Sequence, residues 1–216
     1  MPILNNDVLN QLKKEFDNLT GNVKLTVFTQ ELECQYCEEN RRLMEQVASL
    51  SDKISLQVYN FTLDKNIAEK YQIDKIPATI VESDRDDYGI RFYGIPFGYE
   101  FTSLIEAIKI VSRRESGLSA ESKKILRNIN KKIRIQVFVT LTCPYCAPMV
   151  QLAHKVAMES PYITAEMIEA SEFPHLAYKY NVYAVPKTVL NETIQFEGLV
   201  SEPAFIEKIQ KSLEVE

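Results

Sequence analysis

No run of eighteen apolar residues occurs in the 216-residue chain, so no segment is expected to span a membrane. The N-terminus, MPILNNDVLNQLKKEF, lacks a basic stretch followed by an apolar core and a small-residue cleavage site, and it is not expected to act as a signal peptide. A cationic surplus is missing too. With 25 Lys and Arg against 30 Asp and Glu, the formal net charge of −5 argues against general nucleic-acid binding. Tryptophan is absent, and histidine is limited to His154 and His175. A cytoplasmic location is therefore expected, where the sequons at Asn18, Asn60 and Asn191 would carry little meaning.

What is present is a normal apolar fraction of 45%, enough for a substantial core, in a length that suits one large domain or two ordinary ones. Four cysteines fall in two pairs, Cys34-Gln-Tyr-Cys37 and Cys143-Pro-Tyr-Cys146. In a secreted chain an even count suggests structural staples. In a reducing compartment this spacing points to redox catalysis or metal binding.

The pairs belong to a repeat. Each second cysteine is followed, forty residues on, by a proline: Ile76-Pro77 after Cys37, and Val185-Pro186 after Cys146. Both landmarks share an offset of 109 residues, which makes an internal duplication the economical reading. Apolar, β-branched runs precede the pairs at 23–28 and 133–139, and helical patterns follow at 38–50 and 147–159. Strands are expected at 54–61 and 163–168, short helices at 66–71 and 174–180, and strands again at 78–82 and 187–190. A last strand ends in Gly94 and in Gly198, and amphipathic helices open near Phe101 and Phe205. The first copy carries a polar insertion, SDRDDYG, that reads as a longer hairpin turn. With leading helices at 7–19 and 121–130, the second capped by Ser119, each unit is β-α-β-α-β-β-α with an extra helix in front. The expected division is 1–117 and 118–216.

A first cysteine at a strand end, with the second one turn into a helix, sits where free backbone N–H groups and the helix dipole favour the thiolate. The two sulfurs are then close enough to bond in a short ring that opens and closes readily. Cys34 and Cys143 are assigned as nucleophiles, and Cys37 and Cys146 as the residues that resolve the mixed disulfide. Pro144 presets the backbone at the start of the second helix, a rigidity that Gln35 lacks. The alternative is zinc, but its ligand pairs usually lie about 15–20 residues apart, whereas 105 residues separate Cys37 from Cys143. Ile76-Pro77 and Val185-Pro186 are expected to be cis and to present the backbone of Ile76 and Val185 to an extended substrate. Tyr36 and Tyr145, inside the motifs, are expected to touch the partner, and both histidines are read as structural or surface groups.

With these residues in place the chain resembles the thioredoxin/glutaredoxin superfamily, and TCPYC at 142–146 looks like the glutaredoxin motif. The duplicated arrangement resembles the glutaredoxin-like protein disulfide oxidoreductases of archaea and thermophilic bacteria. Residues 92–108, 112–119 and 133–146 carry the likeness. It implies two tandem thioredoxin-like α/β units, each a central four-stranded mixed sheet flanked by helices. It also implies an enzyme that reduces, oxidises or isomerises protein disulfides with no bound cofactor or metal. Electrons would come from NADPH through a thioredoxin reductase, with a peroxiredoxin as a further partner, and a monomer is expected. Thioredoxins proper differ in carrying a Trp before the first Cys and a buried Asp six residues before it, where this chain has Phe28 and Val137. Two other readings are a dedicated electron shuttle, like the paired domain on the flavoprotein component of alkyl hydroperoxide reductase, and a chaperone-like binding module.

The two centres are not expected to behave alike. Glu31, Glu33, Glu38 and Glu39 crowd the first, whereas no charge occurs between Gln136 and Ala153 around the second. Carboxylates oppose thiol ionisation, so Cys143 is expected to be the more acidic and reactive thiol.

Overall fold

The computed structural model describes residues 3–214; the outermost residues of the two expected units, 1–2 and 215–216, lie outside the described residues. The repeated pattern folds as repeated elements. The first copy runs α1 (Asn6–Phe16), β1 (Val23–Thr29), α2 (Cys37–Ala48), β2 (Ile54–Asn60), α3 (Lys65–Lys70), β3 (Ala78–Ser83), β4 (Ile90–Tyr93) and α4 (Glu100–Arg113). The second runs α5 (Ala120–Arg127), β5 (Ile133–Val139), α6 (Cys146–Ala157), β6 (Ile163–Glu169), α7 (Pro174–Lys179), β7 (Lys187–Leu190), β8 (Ile194–Glu197) and α8 (Glu202–Glu214). Helix starts follow local chemistry: Asn5 Oδ1 accepts the N–H of Val8 at 2.9 Å, and Ser119 Oγ accepts that of Ser122 at 3.2 Å.

Each copy supplies four strands in mixed order. β1 pairs parallel with β2 and antiparallel with β3, which pairs antiparallel with β4; β5, β6, β7 and β8 repeat this. The halves do not form separate sheets. β4 pairs parallel with β6, Ile90 opposite Ala165 and Tyr93 opposite Ile168, giving one eight-stranded sheet ordered β2-β1-β3-β4-β6-β5-β7-β8. All four residues of β4 are consequently buried, whereas its counterpart β8 forms an outer edge and alternates between half-buried and exposed. Gly89, with φ of 74°, makes the approach possible: a Cβ there would lie 2.3 Å from the Ile163 carbonyl oxygen.

The larger core buries Leu25, Leu43, Met44, Leu104, Ile135, Met149 and Phe205 with their neighbours, and a smaller one gathers Phe28, Ile80, Tyr93, Phe138 and Phe173. Polar links also cross the seam. Buried Glu166 meets Lys75 at 3.5 Å and Arg134 at 2.6 Å, and Arg134 reaches Asp74 at 2.9 Å. His154, fully desolvated with its pKa pushed down to about 3, is a neutral core residue whose Nε2 lies 3.3 Å from the Arg91 carbonyl oxygen. His175 is exposed.

Strand directions place β1, β2, β4, β5 and β6 with their C-terminal ends along one edge of the sheet. Both cysteine pairs follow strands at that edge, and β3 and β7 begin there just after Pro77 and Pro186. Among the described residues, no helix is long and apolar enough to cross a membrane.

Candidate active sites

In each copy the first cysteine lies in the loop after the strand and the second opens the helix, so one helical turn brings the sulfurs together. Cys34 is disulfide-bonded to Cys37, and Cys143 to Cys146, with Cα atoms 5.5 Å apart in both pairs. Cys34 and Cys143 are partly exposed, whereas Cys37 and Cys146 are fully buried. A partner disulfide can thus reach only the first sulfur of each pair, while the second sits behind it, close enough to resolve a mixed disulfide. Tyr36 and Tyr145 occupy the N-cap positions, and neither side chain bonds to the helix's first amides. The positive end of each helix dipole lies at the cysteine pair, and the Cys146 N–H donates to the Cys143 carbonyl at 3.4 Å.

Ile76-Pro77 and Val185-Pro186 are both cis. The prolines are buried, while Ile76 and Val185 are half-exposed. The Val185 carbonyl oxygen stands 3.8 Å from Cys143 Sγ, so the second motif and its distant proline loop form one site. The Pro77 and Pro186 carbonyls accept the N–H of Gly94 and Gly198, at 3.0 and 2.8 Å, closing each pocket against the following strand.

The surroundings differ in ways that local sequence only partly conveys. At the first site Glu31, Glu33, Glu38 and Glu39 are exposed, and Arg42 and Arg41 lie within ion-pair distance of Glu38 and Glu45 respectively. Cys34 borders a cleft of about 640 Å³ lined in part by Glu31, Glu38, Glu39 and both arginines. Beneath it, buried Asn40 donates from Nδ2 to Thr79 Oγ1 at 3.1 Å, tying the catalytic helix to β3 two residues past Pro77. The second copy has Met149 and Thr188 at these places, and the Thr188 hydroxyl is buried without a hydrogen-bond partner among the described residues.

The absence of charge near the second site in sequence does not hold in space. The segment from Gly94 to Tyr99, which leads from β4 into α4, crosses from the first copy to the loop before Cys143. Tyr99 donates its N–H to the Leu141 carbonyl at 3.1 Å, and a Cβ on Gly98 would lie 2.3 Å from the same oxygen. This crossing delivers Glu100, fully buried, to α6. Ser103 Oγ lies 2.8 Å from Glu100 Oε2 and 3.4 Å from the carbonyl oxygen of Ala147, the residue after Cys146. Burial pushes the Glu100 pKa up to about 7 against the opposing Ser103 hydrogen bond, and Oε1 has no partner among the described residues. Glu172, with a pKa raised to about 7 by burial, accepts the Ile95 N–H at 2.8 Å and anchors the other end of the crossing. Sequence reasoning missed Glu100, Ser103 and Asn40. The only signal was polar residues on otherwise apolar helix faces.

Residues 133–211, most of the second copy, match the thioredoxin domain family. The AhpF component of alkyl hydroperoxide reductase from Staphylococcus aureus is 29% identical over 189 residues, which are 88% of this chain and 34% of that protein. The chain spans about a third or less of the length of the curated relatives it matches. Among solved structures, a protein disulfide oxidoreductase from Aeropyrum pernix superposes with a TM-score of 0.92 at 29% identity, covering 98% of this chain and 94% of that one. AhpF of the alkylhydroperoxide reductase from Enterococcus faecalis superposes with a TM-score of 0.88 at 28% identity, covering 95% and 99%. Sheet, helices and paired motifs together make this chain a thioredoxin-fold protein with two Cys-x-x-Cys disulfide centres.

Proposed function

We propose that this chain is a protein dithiol–disulfide oxidoreductase working through both centres, in units that divide at residue 117. The carrying observation is that each motif pairs a partly exposed first cysteine with a fully buried second one. In the reducing direction the Cys34 or Cys143 thiolate attacks one sulfur of a substrate disulfide. A mixed disulfide forms and the displaced substrate thiolate takes a proton from solvent. Cys37 or Cys146, as thiolate, then attacks the first cysteine's sulfur, and the second substrate thiolate leaves. Two electrons have passed to the substrate, and the centre ends as a disulfide; run backwards, the steps oxidise a dithiol.

At the second site Glu100 is the buried carboxyl that serves as a candidate base, linked through Ser103 to the carbonyl of Ala147 at the start of α6. When it is ionised, Ser103 donates to it. When it is protonated, Ser103 turns to the Ala147 carbonyl, so the hydroxyl stays satisfied in both states. Ile76, Pro77, Val185 and Pro186, with Tyr36, Pro144 and Tyr145, form the substrate-facing surface. Cys143 leads on protein substrates, and the acidic first site serves relay duty or partners with basic patches. Electrons come from NADPH through a flavoprotein thioredoxin reductase in a reducing, cytoplasmic setting.

A second reading is a dedicated shuttle from a flavoprotein to a peroxiredoxin, favoured by the similarity to AhpF of alkyl hydroperoxide reductase. Comparing Cys34→Ser/Cys37→Ser with Cys143→Ser/Cys146→Ser in insulin reduction, coupled to a thioredoxin reductase, tests both. Turnover of insulin supports the general enzyme. Activity confined to a peroxiredoxin assay supports the shuttle. Alkylation rates against pH test the ordering, and a lower apparent pKa at Cys34 than at Cys143 would refute it.

A further inference from the structure

The fused sheet makes the two sites unlike in a way that bears on what each can hold. Where the first copy meets the second, the residues beside its own site are covered. Ile95, after Gly94, is buried in the seam, and Lys75, just before Ile76, is held by Glu166 and Asp74 with its ammonium 3.5 Å from the centre of the Tyr93 ring. Among the described residues nothing pairs with the outer edge of β8, so the equivalent places in the second copy are open. The matching residue after Gly198 is Leu199, 47% exposed, and the counterpart of Lys75 is Ala184, also exposed, with Tyr183, 89% exposed, beside it. On the other side of Cys143 the crossing segment adds Phe97 and Tyr99, 39% and 50% exposed, fixed through the Tyr99–Leu141 hydrogen bond. Tyr145, within the motif itself, is 67% exposed.

Five apolar or aromatic side chains therefore stand on elements that meet at Cys143; the stretch from Gln136 to Ala153 brings no charge of its own, and the charges flanking Pro186 and Gly198, Lys187 and Glu197, pair with each other at 3.9 Å. Solvated large apolar groups are individually ordinary, but a cluster around a reactive sulfur marks an interaction surface. We infer that the second site selects an extended, uncharged polypeptide segment whose cysteine is flanked by aromatic or aliphatic residues, with Phe97 and Tyr99 of the first copy as specificity determinants. The first site also exposes Leu32 and Tyr36, at 76% and 37%, but sets them among four exposed carboxylates, Glu31, Glu33, Glu38 and Glu39. This inference rests on the reading that the second site exchanges thiols and disulfides.

The test uses Cys34→Ser/Cys37→Ser protein, in which the second centre alone is active. Its kcat/KM is measured for disulfide-linked peptides whose cysteine is flanked by Phe and Leu, by Ser and Gly, or by Lys. A preference of about tenfold or more for the apolar flanks is expected, carried by KM. Phe97→Ser and Tyr99→Ser should each reduce that preference severalfold, while Tyr99→Phe retains it. Equal KM values for the three peptide classes would overturn the inference, as would a preference unchanged in both serine variants. Retention of the parent's thermal midpoint identifies folded variants, and for an unfolded one Phe97→Gln or Tyr99→Gln takes its place. Failure of the parent second site to turn over a small unflanked disulfide such as hydroxyethyl disulfide would instead sink the underlying reading of the site.

Discussion

Ser103 Oγ stands 2.8 Å from Glu100 Oε2 and 3.4 Å from the Ala147 carbonyl oxygen, so one hydroxyl from the first copy links a buried carboxyl to the residue after Cys146. With its pKa raised by burial to about 7, Glu100 is a base only above that pH. Second-site turnover in Cys34→Ser/Cys37→Ser protein should therefore rise through pH 7. Adding Glu100→Gln should flatten the rise and slow release of the trapped mixed disulfide above pH 7 by about 100-fold, the low end of general-base catalysis. An unchanged pH profile in that variant would exclude the role.

The same group should appear in stability. Glu100 is protonated in the folded protein at pH values where the unfolded chain's glutamate is already ionised. Unfolding then releases a proton, and the parent loses stability as pH rises from about 4.5 to about 7, remaining level above that. Glutamine does not titrate. Denaturant titrations at pH 5 and pH 8 should show Glu100→Gln gaining on the parent at the higher pH by up to about 3 kcal/mol. A gap independent of pH would mean that Glu100 ionises normally.

The paired threonines offer a comparison within one molecule. Thr79 accepts from Asn40, whereas Thr188 has no partner for its buried hydroxyl among the described residues. Thr79→Val should destabilise by about 1–3 kcal/mol, because the Asn40 amide is left unpaired in the core. Thr188→Val should be neutral or stabilising by about 1 kcal/mol, because it removes a desolvated group that bonds to nothing. Equal effects at the two positions, read from chemical denaturation, would contradict this account.

Much of this was legible in the chain. Periodicity placed β5 at Ile133–Val139 and β7 at Lys187–Leu190 with the observed bounds, because their runs are short, apolar and bounded by turns. The cysteine–proline spacing singled out two pairs of loops, both at the same edge of the sheet, and in the second copy the pair meets, with the Val185 carbonyl 3.8 Å from Cys143 Sγ. Long-range assembly was not legible. Nothing in the sequence of β4 says that its free edge pairs with β6, since edge and central strands use similar residues. Glu100 lies 43 residues before Cys143, and as a first-turn acid it reads as an ordinary surface group. Only the parallel β4–β6 ladder carries it to the second site.

Gly98 tests that crossing directly. Its φ is 59°, and a Cβ would meet the Leu141 backbone oxygen at 2.3 Å, so neither the conformation nor the space suits alanine. Gly98→Ala should cost about 1–3 kcal/mol of stability. It should also slow the second centre selectively, because the loop before Cys143 must shift. Equal slowing of both centres would point to general unfolding instead.

The continuous sheet also governs how the two centres communicate. Four inter-strand steps separate β1 from β5, about 19 Å along the edge before the twist of the sheet is included. A Cys34–Cys143 mixed disulfide needs Cα atoms within roughly 7 Å, and the ladder hydrogen bonds between the copies allow no such approach. Electrons should therefore pass between the centres only through a second molecule, either another copy or a soluble thiol. Protein half-reduced with one equivalent of dithiol, then quenched by alkylation at intervals, should equilibrate its two centres at a rate proportional to protein concentration. A rate independent of concentration would require the halves to separate along β4 and β6, and would overturn the rigid-sheet account.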